Sequence, residues 1–187
     1  MSLTPAQQAT LKAAIIADGA LNAQPNTADG AFAIADALNL LASPTVTVWR
    51  TNAPVQDIFD AIDWTKYTPT DAPDNTATFT NRALAIQTKQ MNLQNMLVGR
   101  DSVNANKLNV RAGLRDAVIQ LPSGVAGAFV TSGGASGVTV LTACTRPALR
   151  IEAILSGVSA TTGTVTAFLI GYEGTINYQD VYAARNS

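Results

Sequence analysis

Histidine is absent from this chain of 187 residues, and cysteine occurs only once. Without histidine, Ser-His-Asp and Cys-His nucleophile systems are excluded, and the commonest metal ligand of proteins is missing. Cys144 cannot form an internal disulfide, and its apolar and β-branched neighbours predict a small buried side chain rather than a nucleophile. The sequence also lacks a GxxxxGK[ST] phosphate loop, a dinucleotide fingerprint and a nucleophile elbow. We therefore expect no enzymatic activity, no cofactor and no bound metal.

Charge is scarce as well, since charged residues make up only 13% of the chain and hydrophobic residues 47%. A surface with so little charge predicts that other subunits cover much of it. No run of 18 apolar residues occurs, and the first residues lack the basic-then-apolar pattern of a signal peptide. We expect a protein that is made and kept in a cytoplasm and that does not contact a membrane.

The few charges are unevenly distributed. Residues 1–81 carry three basic side chains against eight aspartates, a net charge of −5, whereas residues 82–150 carry eight basic side chains against two aspartates, a net charge of +6. The remaining residues have a net charge of −2. This acidic, basic, acidic order can serve contact between identical subunits, steer a polyanion, or be neutralised within one fold.

Helical signals dominate the first 121 residues. Thr4, Pro5 and Gln7 predict a capped helix over about 5–18, and apolar spacing predicts a second over about 28–41, with Phe32 and Leu41 in its core stripe. A short extended segment over 45–50 precedes a third helix that begins near Pro54. Further helices are expected over about 77–98, with a coiled-coil-like apolar seam, and over about 105–121.

The regular spacing of Asp57, Asp60 and Asp63 around the end of the third helix has three interpretations. Such carboxylates can act as an acid/base pair or bind a hard cation, but no turn glycine and bidentate glutamate of a calcium loop accompany them. We therefore expect a solvated helix face.

Three basic residues, Lys107, Arg111 and Arg115, are four apart and form a stripe on the fifth helix. Such a stripe can contact phosphates without sequence readout, or contact a neighbouring subunit. It can also be a solvated face paired with Asp101 or Asp116. Sequence alone leaves these alternatives open.

From Pro122 the composition shifts to glycine, threonine, serine and valine. A flexible hairpin is expected around Gly133-Gly134, and the alternation over "ALRIEAILSG" followed by "GTVTAFLIGYEG" predicts a β-hairpin over about 148–171. The predicted fold is therefore α+β: a helical body over 1–121 and a β-rich region over 122–187 that ends in a short helix.

The chain ends in "EGTINYQDVYAARNS", where Asn177 can cap a helix of two turns. Tyr178, Val181 and Tyr182 share a face of that helix, and Arg185 follows it. Because two turns are unstable alone, this face needs a surface to dock on. These four residues are our candidate docking tail, and the surface is either the chain's own core or a partner.

Several stretches resemble a family of small proteins encoded among the structural genes of tailed bacteriophages and prophages. They are "LTPAQQATLKAAI", "SPTVTVWRTNAPVQDI", "MLVGRDSVNANKLNVRAGLRDAV" and "YEGTINYQDVYAARN", and together they span nearly the whole chain. The most specific parts are Trp49-Arg50-Thr51, Val110 to Leu114, Glu173-Gly174 and Tyr178-Gln179-Asp180. Residues 134–146 are more β-prone and carry less charge than the family pattern.

This resemblance implies a virion protein, the head-to-tail connector or neck adaptor. Such a protein is assembled in the host cytoplasm into a homo-oligomeric ring that binds the portal and the tail or nozzle proteins. Genomic DNA passes through the lumen of the ring without sequence-specific contact. A tail-tube, tail-terminator or head-decoration protein is the alternative within virions. A nucleic-acid-binding module is the alternative of another class, although the acidic flanks and an isoelectric point near 5.2 oppose it.

Overall fold

The fold is described from a computed structural model, for residues 3–62, 76–118, 140–159 and 167–187; side chains are described for all of these except 76–86. Helices and short strand pairs together confirm the predicted α+β class. The elements of these ranges are α1 (Pro5–Ala17), α2 (Gly19–Asn22), α3 (Ala28–Leu38), β1 (Thr47–Trp49), β2 (Ala53–Pro54), α4 (Val55–Asp60), α5 (Thr76–Leu97), β3 (Ser102–Val103), α6 (Leu108–Val118), α7 (Val140–Ala143), β4 (Thr145–Pro147), α8 (Arg150–Leu155) and α9 (Tyr178–Asn186).

The chain forms two compact units. The first comprises residues 1–48 and 146–187, and the second comprises residues 49–145. The predicted division near residue 121 falls outside the described residues, and the units divide the chain elsewhere. The last 42 residues therefore group with the first 48 in one unit.

The start of α1 follows from the predicted capping box. The Thr4 hydroxyl accepts a hydrogen bond from the Gln7 backbone N–H at 3.3 Å, and the Gln7 side chain accepts one from the Thr4 N–H at 2.9 Å. The helix ends one residue before the predicted bound, at Ala17, because the Asp18 carboxylate accepts the N–H groups of Ala20 and Leu21 and begins α2.

The predicted second helix is confirmed as α3, although it ends at Leu38 instead of residue 41. Leu41 and Phe32, which the apolar spacing assigned to the core, are 61% and 48% exposed. Leu41 follows the helix and pairs with Leu149 in an isolated bridge, so the helical spacing does not apply to it.

The predicted β-hairpin over 148–171 is wrong at its first strand, because residues Arg150–Leu155 form α8. The N–H of Ala153 donates to the Leu149 carbonyl, and the N–H of Ser156 donates to that of Glu152, which is helical pairing. Alternation predicted that Glu152 points outward, yet its side chain is 1% exposed. The second strand of the hairpin lies partly outside the described residues.

The C-terminal helix α9 packs within the first unit. Asn177 caps it as predicted: its side chain accepts the Asp180 N–H at 3.0 Å, and the Asp180 carboxylate accepts the Asn177 N–H at 3.1 Å. The helix contacts α1 and α3. Buried residues of this core are Leu3, Leu11, Ile15, Leu21, Ala31, Ile34, Ala35, Leu38, Ile151, Ile176, Val181 and Ala184.

The second unit contains the predicted third, fourth and fifth helices as α4, α5 and α6. Strand β2 pairs antiparallel with β3 in the register Ala53 with Val103 and Pro54 with Ser102. Leu93 and Leu97 confirm part of the apolar seam of α5, since both are buried against the core. Buried residues of this core are Ala53, Val55, Ile58, Ile62, Leu93, Leu97, Val103, Ala105, Leu114, Ala117, Val118, Val140 and Cys144.

The other two-stranded sheet consists of β1 and β4. The Ala148 N–H donates to the Val46 carbonyl at 2.8 Å, and the Arg50 N–H donates to the Cys144 carbonyl at 2.9 Å. Residues 122–147, which we predicted as β-rich, are described only from 140 onward. There they form the short helix α7 before β4.

Gly30 allows α3 to approach the preceding turn, and we expect Gly30→Ala to be destabilising. A Cβ atom at this position would lie 2.0 Å from the Pro25 carbonyl oxygen, so backbone must move. Relieving that overlap should cost about 1–3 kcal/mol of unfolding free energy, measured by chemical denaturation. Gly19→Ala is the matched control, because nothing lies within 4 Å of its Cβ. Equal stability of the two variants would contradict the proposed close approach.

Candidate interaction site

A pocket of about 430 Å³ lies beside α6 in the second unit, and we call it the Trp49 pocket. Its lining residues are Trp49, Leu108, Arg111, Ala112, Arg115, Asp116 and Leu141. The volume falls within the range of pockets that bury a ligand or a large side chain. Two of the three residues of the predicted basic stripe therefore lie in the wall of a concavity.

The turn before α6 fixes where the basic stripe begins. The Asn106 N–H donates to the Arg50 carbonyl at 3.2 Å and to the Asn104 side chain at 3.0 Å. The Lys107 carbonyl then accepts the Arg111 N–H at 3.2 Å, so Lys107 stands at the N-terminal end of the helix instead of inside it. The helix begins at Leu108, three residues after the predicted start near residue 105, because this turn occupies 104–107.

Arg111 is held in place by two contacts. Its guanidinium carbon lies 4.6 Å from the centroid of the Trp49 ring, and its Nη1 donates to the Ala105 carbonyl at 2.7 Å. A cation over an indole ring contributes about 0.5–2 kcal/mol. Arg111 therefore shapes the pocket wall and keeps its position without a partner molecule.

Arg115 and Lys107 differ from Arg111 because their side chains are exposed. Within the described ranges, neither side chain has a hydrogen bond or ion pair, so the predicted pairing with Asp101 or Asp116 is not observed there. At 1.5 Å per residue, Lys107 and Arg115 are about 12 Å apart along the helix axis. The stripe thus places two cations that lack partners among the described residues on either side of a fixed one.

The predicted docking tail is largely engaged within its own unit. Val181 is fully buried, and the Arg185 guanidinium donates to the carbonyls of Gln24 and Pro25, both at 3.0 Å. Tyr182 is 46% exposed, and Tyr178 is half-buried. Of the two surfaces that the sequence left open, the inner face of α9 uses the chain's own core, and only its outer face remains available.

An acidic face, which sequence reasoning missed, lies on the outer side of α3. It consists of Asp29, Phe32 and Asp36, which are exposed and separated by three and four residues. The Phe32 ring stacks on the Tyr178 ring of α9, with centroids 4.1 Å apart and planes 25° from parallel. Neither carboxylate has a hydrogen-bond or ion-pair partner in the part of the chain that the structure describes. The sequence shows the charge spacing, but helical spacing predicts that Phe32 lies in the core.

Sequence reasoning also missed a buried carboxylate in the first unit. Arg146 donates to both oxygens of Glu152, at 2.7 and 2.8 Å, and also to Glu173 at 2.9 Å. The N–H groups of Leu149 and Gly174 donate to Glu152 at 2.8 Å. Burial raises the pKa of Glu152, but the hydrogen bonds from Arg146, Gly174 and Leu149 outweigh it and hold that pKa below its ordinary value. Because its oxygens are satisfied internally, Glu152 is a structural ion and not a general acid.

Cys144 is buried as predicted. Burial raises the pKa of its thiol to about 11, despite the opposing charge of Arg50. At neutral pH the thiol stays protonated, so it is a poor nucleophile.

The aspartates near α4 are only partly described. Arg50 pairs with Asp57 at 2.9 Å, and the Gln56 side chain donates to Asp60 at 2.8 Å; both aspartates line a second pocket of about 410 Å³. Asp63 lies outside the described residues. Across the described ranges, no group of three or more Cys, Asp or Glu side chains could hold a metal ion.

These surfaces can bind other molecules. In the second unit, exposed cations lie beside the apolar wall of the Trp49 pocket, and in the first unit, exposed carboxylates lie beside the rings of Phe32 and Tyr178. No helix among the described residues has both the length and the hydropathy needed to cross a membrane. Comparisons of the chain with models of protein families, with curated proteins and with solved structures find no match.

Proposed function

We propose that this protein is a non-enzymatic virion protein of a tailed bacteriophage, the head-to-tail connector that forms a ring between the portal and the tail. In this role the chain assembles with identical copies around the DNA exit channel. It contacts the portal on one side and tail or nozzle proteins on the other. Its place in the virion is the neck.

The observation that carries this proposal is the apolar surface of a chain with few charges. Nine large hydrophobic side chains of the described residues are exposed, and they occur in both units: Ile16, Phe32, Leu40, Leu41, Met91, Val98, Leu108, Leu169 and Tyr182. Single exposed hydrophobic residues are ordinary, but many of them together with 13% charged residues are typical of surfaces that subunits cover.

The stretches that carry the family resemblance also have structural roles. The Arg50 guanidinium donates hydrogen bonds to the Thr145 carbonyl and to the Asp57 carboxylate. A Cβ atom on Gly113 would lie 3.0 Å from the Met96 side chain. Gly174 has a φ of +111° and donates its N–H to Glu152. Substitution of Arg50 would remove these hydrogen bonds, and substitution of Gly174 would strain its backbone. The resemblance supports the proposal on this ground.

Assembly tests the proposal directly. We expect the purified chain to form rings by negative-stain imaging, with a mass several times 19.4 kDa by light scattering, and to bind the portal protein encoded in the same genome. A chain that stays monomeric at high concentration and ignores the portal would refute it. In cryo-images of the virion, density for this chain along the tail tube or on the head would favour the tail-tube or decoration alternative.

The basic stripe favours a second candidate, a module that binds nucleic acid without sequence specificity. Lys107, Arg111 and Arg115 could neutralise phosphates, and binding by the monomer to duplex DNA would then weaken steeply with salt. A shallow salt dependence, or no binding by the monomer, would reject this candidate.

A further inference from the structure

We propose that the acidic face of one copy docks in the Trp49 pocket of the next copy, so that Asp29 and Asp36 pair with the basic stripe and Phe32 enters the pocket. The inference rests on the proposed ring, and it names the two surfaces that would join its subunits. A second copy is the occupant for which the observations on both surfaces argue.

The acidic face has the form of an anchor flanked by charges. Phe32 lies three residues after Asp29 and four before Asp36, so all three share one side of α3. The two carboxylates are about 10 Å apart along the axis. An aromatic ring centred between two carboxylates suits a pocket that has apolar walls and cations at its ends.

The Trp49 pocket provides the complementary arrangement. Its apolar lining comes from Trp49, Ala112, Leu141 and Leu108, and the Leu108 side chain is 74% exposed although it is large and aliphatic. Lys107, at the N-terminal end of α6, and Arg115 stand about 12 Å apart along the helix axis, close to the spacing of the two carboxylates. A single contact would cover the exposed surface of Leu108 and the exposed charges of both surfaces.

Two features favour a second copy over nucleic acid in this pocket. Arg111 already covers a face of the Trp49 ring, so a base stacking there would have to displace it. Most of the remaining lining is aliphatic, which suits a protein side chain better than a phosphate backbone.

The two surfaces are different patches of the chain, so the contact joins unlike surfaces of identical subunits. Contacts of this kind produce a closed ring when the rotation between copies closes, and an open filament otherwise. The proposed connector requires the first outcome. The docking contact therefore supplies the kind of subunit interface that a ring needs.

Charge reversal on each side tests the contact. Arg115→Glu alone and Asp36→Lys alone should each weaken self-association by at least about tenfold, measured by sedimentation velocity at low salt. The double variant Arg115→Glu/Asp36→Lys restores opposite charges across the contact, so its association should return to within about threefold of the wild-type value. Both positions are exposed, and circular dichroism and thermal unfolding should match the wild type.

Arg100→Glu/Asp101→Lys is the matched control, because it exchanges the same charge types at exposed positions outside both surfaces. It should leave association unchanged. Rings that form equally well with Arg115→Glu and Asp36→Lys would overturn the docking contact and leave the proposed connector standing. A wild-type chain that never assembles would overturn both.

The recovery in the double variant separates a direct contact from a general effect of charge. If the double variant stays as weak as either single variant, the two surfaces do not meet and the inference is wrong. The alternative that the Trp49 pocket binds nucleic acid is tested by measuring binding of a fluorescent duplex of about 20 base pairs. Should Arg115→Glu abolish duplex binding while self-association is unchanged, the pocket holds nucleic acid and the docking contact is overturned.

Discussion

Glu152→Gln is expected to lower the free energy of unfolding by about 3 kcal/mol, because it removes the charge from a buried and fully paired carboxylate. The Glu152 side chain receives two hydrogen bonds from Arg146 and one each from the N–H groups of Leu149 and Gly174. A glutamine side chain has only one oxygen that can accept hydrogen bonds. Its NH₂ group would face the N–H groups that now donate to the second carboxylate oxygen, so those hydrogen bonds would be lost. For a chain of this size the change corresponds to a fall of about 6–12 °C in Tm by differential scanning calorimetry.

Glu173→Gln is the matched control for this prediction. This variant alters a carboxylate that accepts a hydrogen bond from the same residue, Arg146, but the Glu173 side chain is about one-third exposed. Exposed pairs typically contribute less than about 1 kcal/mol, so a small change is expected. If both variants lose the same stability, burial of Glu152 is not the cause, and the structural role given to it would be wrong.

The same carboxylate predicts how stability depends on pH. The folded-state pKa of Glu152 lies below its ordinary value of 4.5, so its contribution is complete above that pH and is lost as pH falls through the folded-state pKa. The pKa of Asp18 is also lowered, by hydrogen bonds from the Leu21 N–H and from Arg150. Wild-type Tm should therefore fall steadily below about pH 4.5, and it should fall less steeply in Glu152→Gln.

Local signals predicted the helices well where the sequence itself provides the partner. Thr4 with Gln7, and Asn177 with Asp180, satisfy the first backbone N–H groups of their helices, so the starts of α1 and α9 were visible without tertiary information. Asp18 could have been recognised as a cap in the same way. Its carboxylate explains why α1 ends at Ala17 and a second helix follows.

Long-range contacts decided what the sequence predicted incorrectly. The alternation around Glu152 fits a strand only if the glutamate is exposed, and it is buried because Arg146 and Gly174 meet it from 6 and 22 residues away. Helical spacing predicts that Phe32 lies in the core, but Ile34, Ala35 and Leu38 fill the core side of α3. Local periodicity predicts neither the burial of Glu152 nor the exposure of Phe32.

The candidate site was partly predictable. The spacing of Lys107, Arg111 and Arg115 predicted a basic stripe, yet only the fold reveals that Trp49, more than 50 residues earlier, lies under Arg111 and gives the stripe a concave wall. The apolar face of α9 was equally visible, but periodicity cannot distinguish a helix that docks on its own core from one that docks on a partner. Contacts of α9 with α1 and α3 decide that question for its inner face.

Val181→Asp is expected to destabilise the first unit by about 4 kcal/mol or more, the largest effect that we predict. Val181 is fully buried in the cluster that includes Leu11, Ile34 and Ala184. An aspartate there would bury a carboxyl group among apolar side chains and remove the contacts of the valine. Loss of cooperative unfolding or a steep fall in Tm, measured by circular dichroism, is the expected result.

Tyr182→Asp changes the neighbouring residue on the same helix and is the matched control. Because Tyr182 is 46% exposed, the stability change should stay within about 1 kcal/mol. The pair separates two faces of one helix: its inner face holds the first unit together, and under the proposed function its outer face would contact a portal or tail protein. Deleting the whole tail would remove both at once, so reduced portal binding by a folded Tyr182→Asp variant is the informative result. If Val181→Asp were instead as stable as the wild type, α9 would not belong to the core, and its inner face would again be a candidate for docking on a partner.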